Sequence, residues 1–163
     1  MGAAGSYSVN HGHDSEGGSL GRMKRILVCL DASPRAPFVL QTAADLAERC
    51  GAKLCLLQTV GLPAVVDQEA VTHGVSPMGA IETAAKSELD GLAAKLPAGL
   101  VEGVHVRIGT PWDAICHEAK ELDCDLVLLG SHGYKGLDVL LGTTAAKVVN
   151  HCERSVFVAR AKA

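Results

Sequence analysis

Aromatic side chains are almost absent from this sequence: Phe, Tyr and Trp make up 3% of 163 residues, and Trp112 is the single tryptophan. So few rings leave no stacking platform for single-stranded nucleic acid. Neither sign of charge dominates either. A net charge of −3 offers no basic surface for a phosphate backbone, so no nucleic-acid partner is expected. No apolar run approaches the ~20 residues a membrane helix needs, and no membrane partner is expected. The six cysteines, Cys29, Cys50, Cys55, Cys116, Cys124 and Cys152, form no CxxC pair. Several lie inside apolar runs, where a free thiol behaves as a small buried hydrophobe. No signal-peptide pattern opens the sequence, so the expected compartment is reducing and cytoplasmic. What is present is 48% hydrophobic and 20% charged residues, a globular profile at the length of one ordinary domain.

The first 22 residues are rich in Gly, Ser and His and lack an apolar period. Such a stretch cannot bury enough surface to offset its ordering entropy, so 1–22 is expected to be a flexible extension and 23–163 the folded domain. From Met23 onward, apolar runs and helical patterns alternate. Arg25–Leu30 has the continuous apolar character of a strand covered on both faces. Ser33-Pro34 predicts the start of a helix that runs to about Cys50, with Gly51 as its stop. Further strands are expected at Lys53–Thr59, Val104–Ile108, Asp125–Leu129 and Ser155–Arg160. Helices are expected from about Pro77 to Lys95, at Trp112–Leu122 and at Thr143–His151. Strands separated by helices of this length pair in parallel through right-handed crossovers. The pattern predicts an α/β fold, an open five-stranded parallel sheet with helices on both faces, Rossmann-like in architecture.

In such sheets a ligand sits beyond the carboxyl ends of the strands, so the loops there carry the candidate chemistry. Two stand out: Asp31-Ala-Ser-Pro-Arg35, and Gly130-Ser-His-Gly133 continuing to Gly142-Thr143-Thr144. Gly130 and Gly133 permit close backbone approach and positive φ. Gly142-Thr143-Thr144 opens a helix with unpaired N–H groups and two hydroxyls, the makings of an anion site. Lys135 adds a positive charge. Each feature also has a purely structural reading, as a turn, a cap or, for Asp31, an N-cap partner. His132 has no evident carboxylate partner, and His117 and His151 lack the further ligands a metal needs, so no catalytic or metal-ligating residue is singled out. The absence of GxxxxGK[ST] excludes a P-loop, and Asp31-Ala32-Ser33 stands where GxGxxG would mark a dinucleotide fold. The residues describe a nucleotide-sized phosphate site without catalytic machinery.

Taken together, Ile26–Ser33, Gly109-Thr110-Pro111, Asp125–Gly133, Leu141-Gly142-Thr143 and Ser155–Val158 resemble the universal stress protein family in its ATP-binding branch. The likeness spans Lys24 to Arg160. It implies an adenine nucleotide alpha hydrolase-like sheet with the first and fourth strands adjacent at the centre. It further implies that Gly130, Gly133, Gly142, Thr143 and Thr144 line the ribose and phosphates, with Leu129 beside them, and that Asp31 contacts the nucleoside. Cys29, Leu30 and the backbone around Val60 would form the adenine pocket. The implied cofactor is ATP, or ADP or AMP, with Mg2+ bridging the phosphates, and the implied partner a second copy through Ser155–Ala159. One departure stands out: eight residues, Tyr134 to Leu141, separate Gly133 from Gly142, where the family motif has nine. The expected function is nucleotide binding in a stress-response regulator with at most slow ATP hydrolysis. A dimeric interaction module without nucleotide, and an enzyme using His132 or Lys135, are the other readings.

Overall fold

Alternation along three central strands decides which face each side chain takes. In the strand β1 (Arg25–Leu30), Ile26, Val28 and Leu30 fall on one side, and Leu27 and Cys29 on the other. In β2 (Lys53–Val60), Leu54 and Leu56 oppose Cys55 and Leu57, and in β4 (Leu126–Gly130), Leu126 and Leu128 oppose Val127 and Leu129. A period of two with apolar residues at every position demands a cover on both faces. In the computed structural model, which describes residues 23–61, 77–131 and 141–160, helices supply both covers. The helices α1 (Ala36–Cys50) and α2 (Pro77–Ala93) lie against the first face, and α3 (Pro111–Glu121) and α4 (Thr143–His151) against the second.

The sheet is completed by β3 (Val101–Ile108) and β5 (Ser155–Ala159). All pairings are parallel, in the order β3-β2-β1-β4-β5. The predicted α/β architecture and the central β1–β4 neighbours are both found, in the register Val28↔Leu128 and Cys29↔Leu129. The chain moves outward from β1 to β3, then returns to the other side of β1. Strand order therefore reverses between β1 and β4, where a crevice opens at the carboxyl ends.

Most element ends shift by a residue or two, and the differences in α1 and β3 matter most. The first helix begins at Ala36 rather than at Ser33-Pro34, with Arg35 as its N-cap and Pro37 in its first turn. The Ser33 hydroxyl is otherwise engaged: it donates to Asp31 Oδ1 at 2.6 Å, and the Ser33 N–H reaches the same oxygen at 3.2 Å. The helix does stop at Gly51, whose φ of 68° is the left-handed conformation glycine tolerates. Strand β3 starts at Val101, three residues before the expected Val104. Its polar positions, Glu102, His105 and Arg107, hide the strand pattern, and an edge strand accommodates them because only one flank is paired. In α2, Ala85 and Leu89 are buried while Ile81 is exposed.

A carboxylate pins the two central strands together at their amino ends. Asp125 Oδ2 accepts the backbone N–H of Lys24 at 2.6 Å and of Arg25 at 2.9 Å. Burial pushes this carboxyl up, but the two N–H donors outweigh it and hold the group below its usual range. A depressed folded-state value contributes stability above the unfolded carboxylate range of about pH 4, and the contribution fades as pH falls through the folded value. Asp125→Ala is therefore expected to cost about 1 kcal/mol at neutral pH, discounted for solvent exposure. Urea unfolding at pH 7 and at pH 3 checks this; a gap from wild type that stays constant between the two would contradict it.

Candidate functional site

The crevice between β1 and β4 holds a cleft of about 460 Å3. Its floor is apolar, built from Cys29 and Leu30 of β1, Leu57 of β2 and Leu129 of β4. Burial pushes the Cys29 thiol far above the ordinary thiol range, with Cys152 and Cys116 adding to the effect, so this sulfur is an apolar wall atom rather than a nucleophile. The rim is polar. Asp31, Ser33 and Arg35 follow β1, Gly130 and Ser131 end β4, and Gly142, Thr143 and Thr144 open α4. Pro111 and Ile115 of α3 close one side.

One hydrogen bond ties the rim across the crevice. Arg35 Nη1 donates to the Ser131 carbonyl at 3.0 Å, joining the loop after β1 to the loop after β4. At Gly130, an added Cβ would stand 3.0 Å from Cγ2 of Val39 on α1. Glycine is needed there for close helix–strand approach, since positive φ among the described glycines belongs to Gly51, Gly99 and Gly109. Gly142, the N-cap of α4, has an extended backbone (φ −59°, ψ 154°). The first N–H groups of α4 have no intrahelical acceptor, and they carry the positive end of the helix dipole. The cleft thus combines an apolar floor with a rim of donors and one guanidinium, an arrangement suited to a flat apolar ring joined to an anion.

Of the residues singled out from sequence, Cys29, Leu30, Asp31, Leu129, Gly130, Gly142, Thr143 and Thr144 come together around this cleft. Val60 does not. It packs on the α1–α2 side of the sheet, and its carbonyl accepts the Gly109 N–H at 2.9 Å. Leu57 and Thr59 line the cleft from β2 instead, because alternation turns them to the opposite face from Val60. Gly133, His132 and Lys135 lie outside the described residues. Sequence reasoning passed over Arg35 as a site residue, although it closes the loop Asp31–Arg35 and supplies the cation. It also passed over Glu118, fully buried on α3. Glu118 accepts Arg107 Nε at 2.6 Å and Nη2 at 3.0 Å, and faces His105 Nδ1 at 3.0 Å. Among the described residues, no group of three His, Cys, Asp or Glu side chains is arranged to hold a metal ion. No described helix is long and apolar enough to cross a membrane.

A doubly wound parallel sheet with a ligand-sized cleft at its switch point defines the class. Residues 23–160 match the model of the universal stress protein family, and the chain belongs to that family. It is 30% identical over 137 residues to Universal stress protein A homolog 1 of Coxiella burnetii (strain RSA 493 / Nine Mile phase I), covering 78% of this chain and 89% of the relative. Among solved structures, it superposes on a universal stress protein in complex with cAMP with a TM-score of 0.62 at 22% identity, over 85% of this chain and 98% of that one. It also matches the universal stress protein from Archaeoglobus fulgidus in complex with dAMP, with a TM-score of 0.56 at 21% identity, over 84% and 98% of the two chains.

Proposed function

We propose that this protein binds an adenine nucleotide, ATP or its products ADP and AMP, and acts as a cytoplasmic stress-response regulator with at most slow ATP hydrolysis. The observation that carries the reading is the cleft itself: an apolar floor at Cys29, Leu30 and Leu129, faced by Arg35 and the N-terminus of α4. The adenine ring fits the floor, and the phosphates fit the donors of Gly142, Thr143 and Thr144. Complexes of two relatives with cAMP and dAMP support the same ligand class. The donor set fits phosphates better than it fits a bare cation, because Asp31 is the one carboxylate among the described cleft residues. Mg2+ would arrive with the nucleotide and neutralise its phosphates. No described cleft residue pairs a base with an acid for activating water, which keeps hydrolysis slow.

The direct test is denaturation of freshly purified protein with mass spectrometry of what is released, then ATP titration calorimetry with magnesium. Recovery of adenine nucleotide near one per chain, or micromolar binding on titration, is the expected result. An empty protein giving no heat with ATP, ADP or AMP overturns the reading. The eight-residue spacing between Gly133 and Gly142 favours a second reading, an interaction module in which the shortened loop closes the site; an empty, silent cleft is its signature.

We also propose a homodimer through β5. This strand is a sheet edge, and its Phe157 is 41% exposed. An apolar open edge invites symmetric pairing with a second copy. Phe157→Glu is expected to sediment as a monomer where wild type sediments as a dimer. Identical sedimentation of the two removes the proposal.

A further inference from the structure

Three arginines of this protein rest against acids: Arg25, Arg107 and Arg154 meet carboxylate oxygens at 2.7, 2.6 and 3.2 Å. Arg35 is held differently. Its guanidinium donates to a neutral group, the Ser131 carbonyl at 3.0 Å. No ion pair joins it to a carboxylate among the described residues. Asp31, the one carboxylate among the described cleft residues, turns Oδ1 to the N–H and hydroxyl of Ser33. Arg35 is also the one cationic side chain among those residues.

Both ends of the Arg35–Ser131 contact are fixed. The Arg35 N–H reaches Ser33 Oγ at 3.3 Å, and its carbonyl accepts the Val39 N–H at 3.1 Å. Pro34 and Pro37 restrict the backbone on either side of it. Opposite, the Ser131 N–H donates to the Ala159 carbonyl of β5 at 3.0 Å, which makes Ser131 an extension of the sheet. Because β1 and β4 are neighbours, the side chain bridges the two loops where both line the cleft.

A carbonyl offers the guanidinium only a partial charge. A phosphate oxygen offers a full one, and the planar fork of N–H donors matches two such oxygens at once. The exchange of carbonyl for phosphate is therefore favourable, and a loop already ordered adds little entropy cost to it. A nucleoside has no group that could drive this exchange. The apolar floor cannot tell the two apart, since it meets the same ring in each. The N–H groups of α4 contribute partial charge alone.

On the nucleotide reading of this cleft, we infer that Arg35 is its charge selector, a clasp that rests on the Ser131 carbonyl and exchanges it for phosphate oxygens when a phosphorylated ligand enters. Arg35 touches the ligand in the bound state and discriminates a nucleotide from the nucleoside with the same ring and sugar. In the ligand-free state the same side chain holds the two loops at their spacing.

The test titrates the full chain and its Arg35→Gln variant with ATP and with adenosine, which differ only in the phosphates. Arg35→Gln is expected to weaken ATP binding roughly ten- to a hundredfold and adenosine binding less than about twofold. Arg35→Lys keeps the charge but loses the fork, so its ATP affinity is expected to fall between the two. Equal losses for both ligands would make Arg35 a structural tie of the rim, and unchanged ATP affinity in Arg35→Gln would leave it no part in binding. Either result overturns the inference while the nucleotide reading stands; a wild-type protein that binds neither ligand overturns both.

A second measurement uses wild type alone. Phenylglyoxal modifies exposed arginines, and mass spectrometry follows Arg35 with the exposed Arg49 and Arg160 as references. ATP at about ten times its Kd is expected to slow reaction at Arg35 roughly tenfold, and adenosine at the same multiple less than about twofold. Equal protection by the two ligands, or none by ATP, removes Arg35 from phosphate recognition.

Discussion

Gly142→Val is expected to weaken adenine-nucleotide binding by at least about a hundredfold, equivalent to about 2.7 kcal/mol, while leaving the fold nearly as stable. Gly142 lines the cleft and caps α4 with an extended backbone that any residue adopts, so valine brings no conformational strain. It brings bulk to the place where the first N–H groups of α4 face the cleft. The stability cost of a poorer N-cap residue is of order 1 kcal/mol or less. Gly130 is the less discriminating position, since a side chain there meets Val39 at 3.0 Å and disturbs α1 packing as well as the rim. Titration calorimetry and urea unfolding on the same preparation separate the two effects. Wild-type affinity in a folded Gly142→Val protein would mean that α4 does not hold the phosphates.

Glu118→Ala is expected to lower stability by about 2–3 kcal/mol, or roughly 5–10 °C in Tm for a chain of this size. Glu118 is fully buried, and both its oxygens are engaged: the Arg107 guanidinium meets them in a fork, and His105 Nδ1 adds a third contact. Removing the carboxylate leaves a cavity under α3 and two polar side chains without their acceptor. The figure sits below that for a wholly buried ion pair because the Arg107 side chain is 48% exposed and can turn to water. Glu118→Leu keeps most of the volume and loses only the polar contacts, so it should cost about half as much. Denaturant midpoints of the three proteins decide the matter. An unchanged midpoint in Glu118→Ala would show that the network holds nothing in place.

Much of the architecture was legible in local patterns. Arg25–Leu30 and Thr143–His151 appear with the expected bounds, because a two-faced apolar run and a glycine-opened amphipathic stretch each carry their own boundaries. The β1–β4 juxtaposition came only with the family likeness, as strand order is not written in any local period. The described ends of the loops named as candidates meet at one cleft, since a parallel sheet delivers every strand's carboxyl end to the same side.

What the sequence determined by itself is the set of elements, the faces they bury and the end of the sheet on which chemistry can sit. Each follows from spacing over a few residues. Tertiary structure alone decided that Arg35 reaches across the crevice to the Ser131 carbonyl. It also decided that Glu118 is buried against Arg107, and that Cys55 stands beside Gly103 on the next strand. Those facts depend on partners 11 to 96 residues away, and no local pattern encodes a neighbour that only the packed sheet supplies.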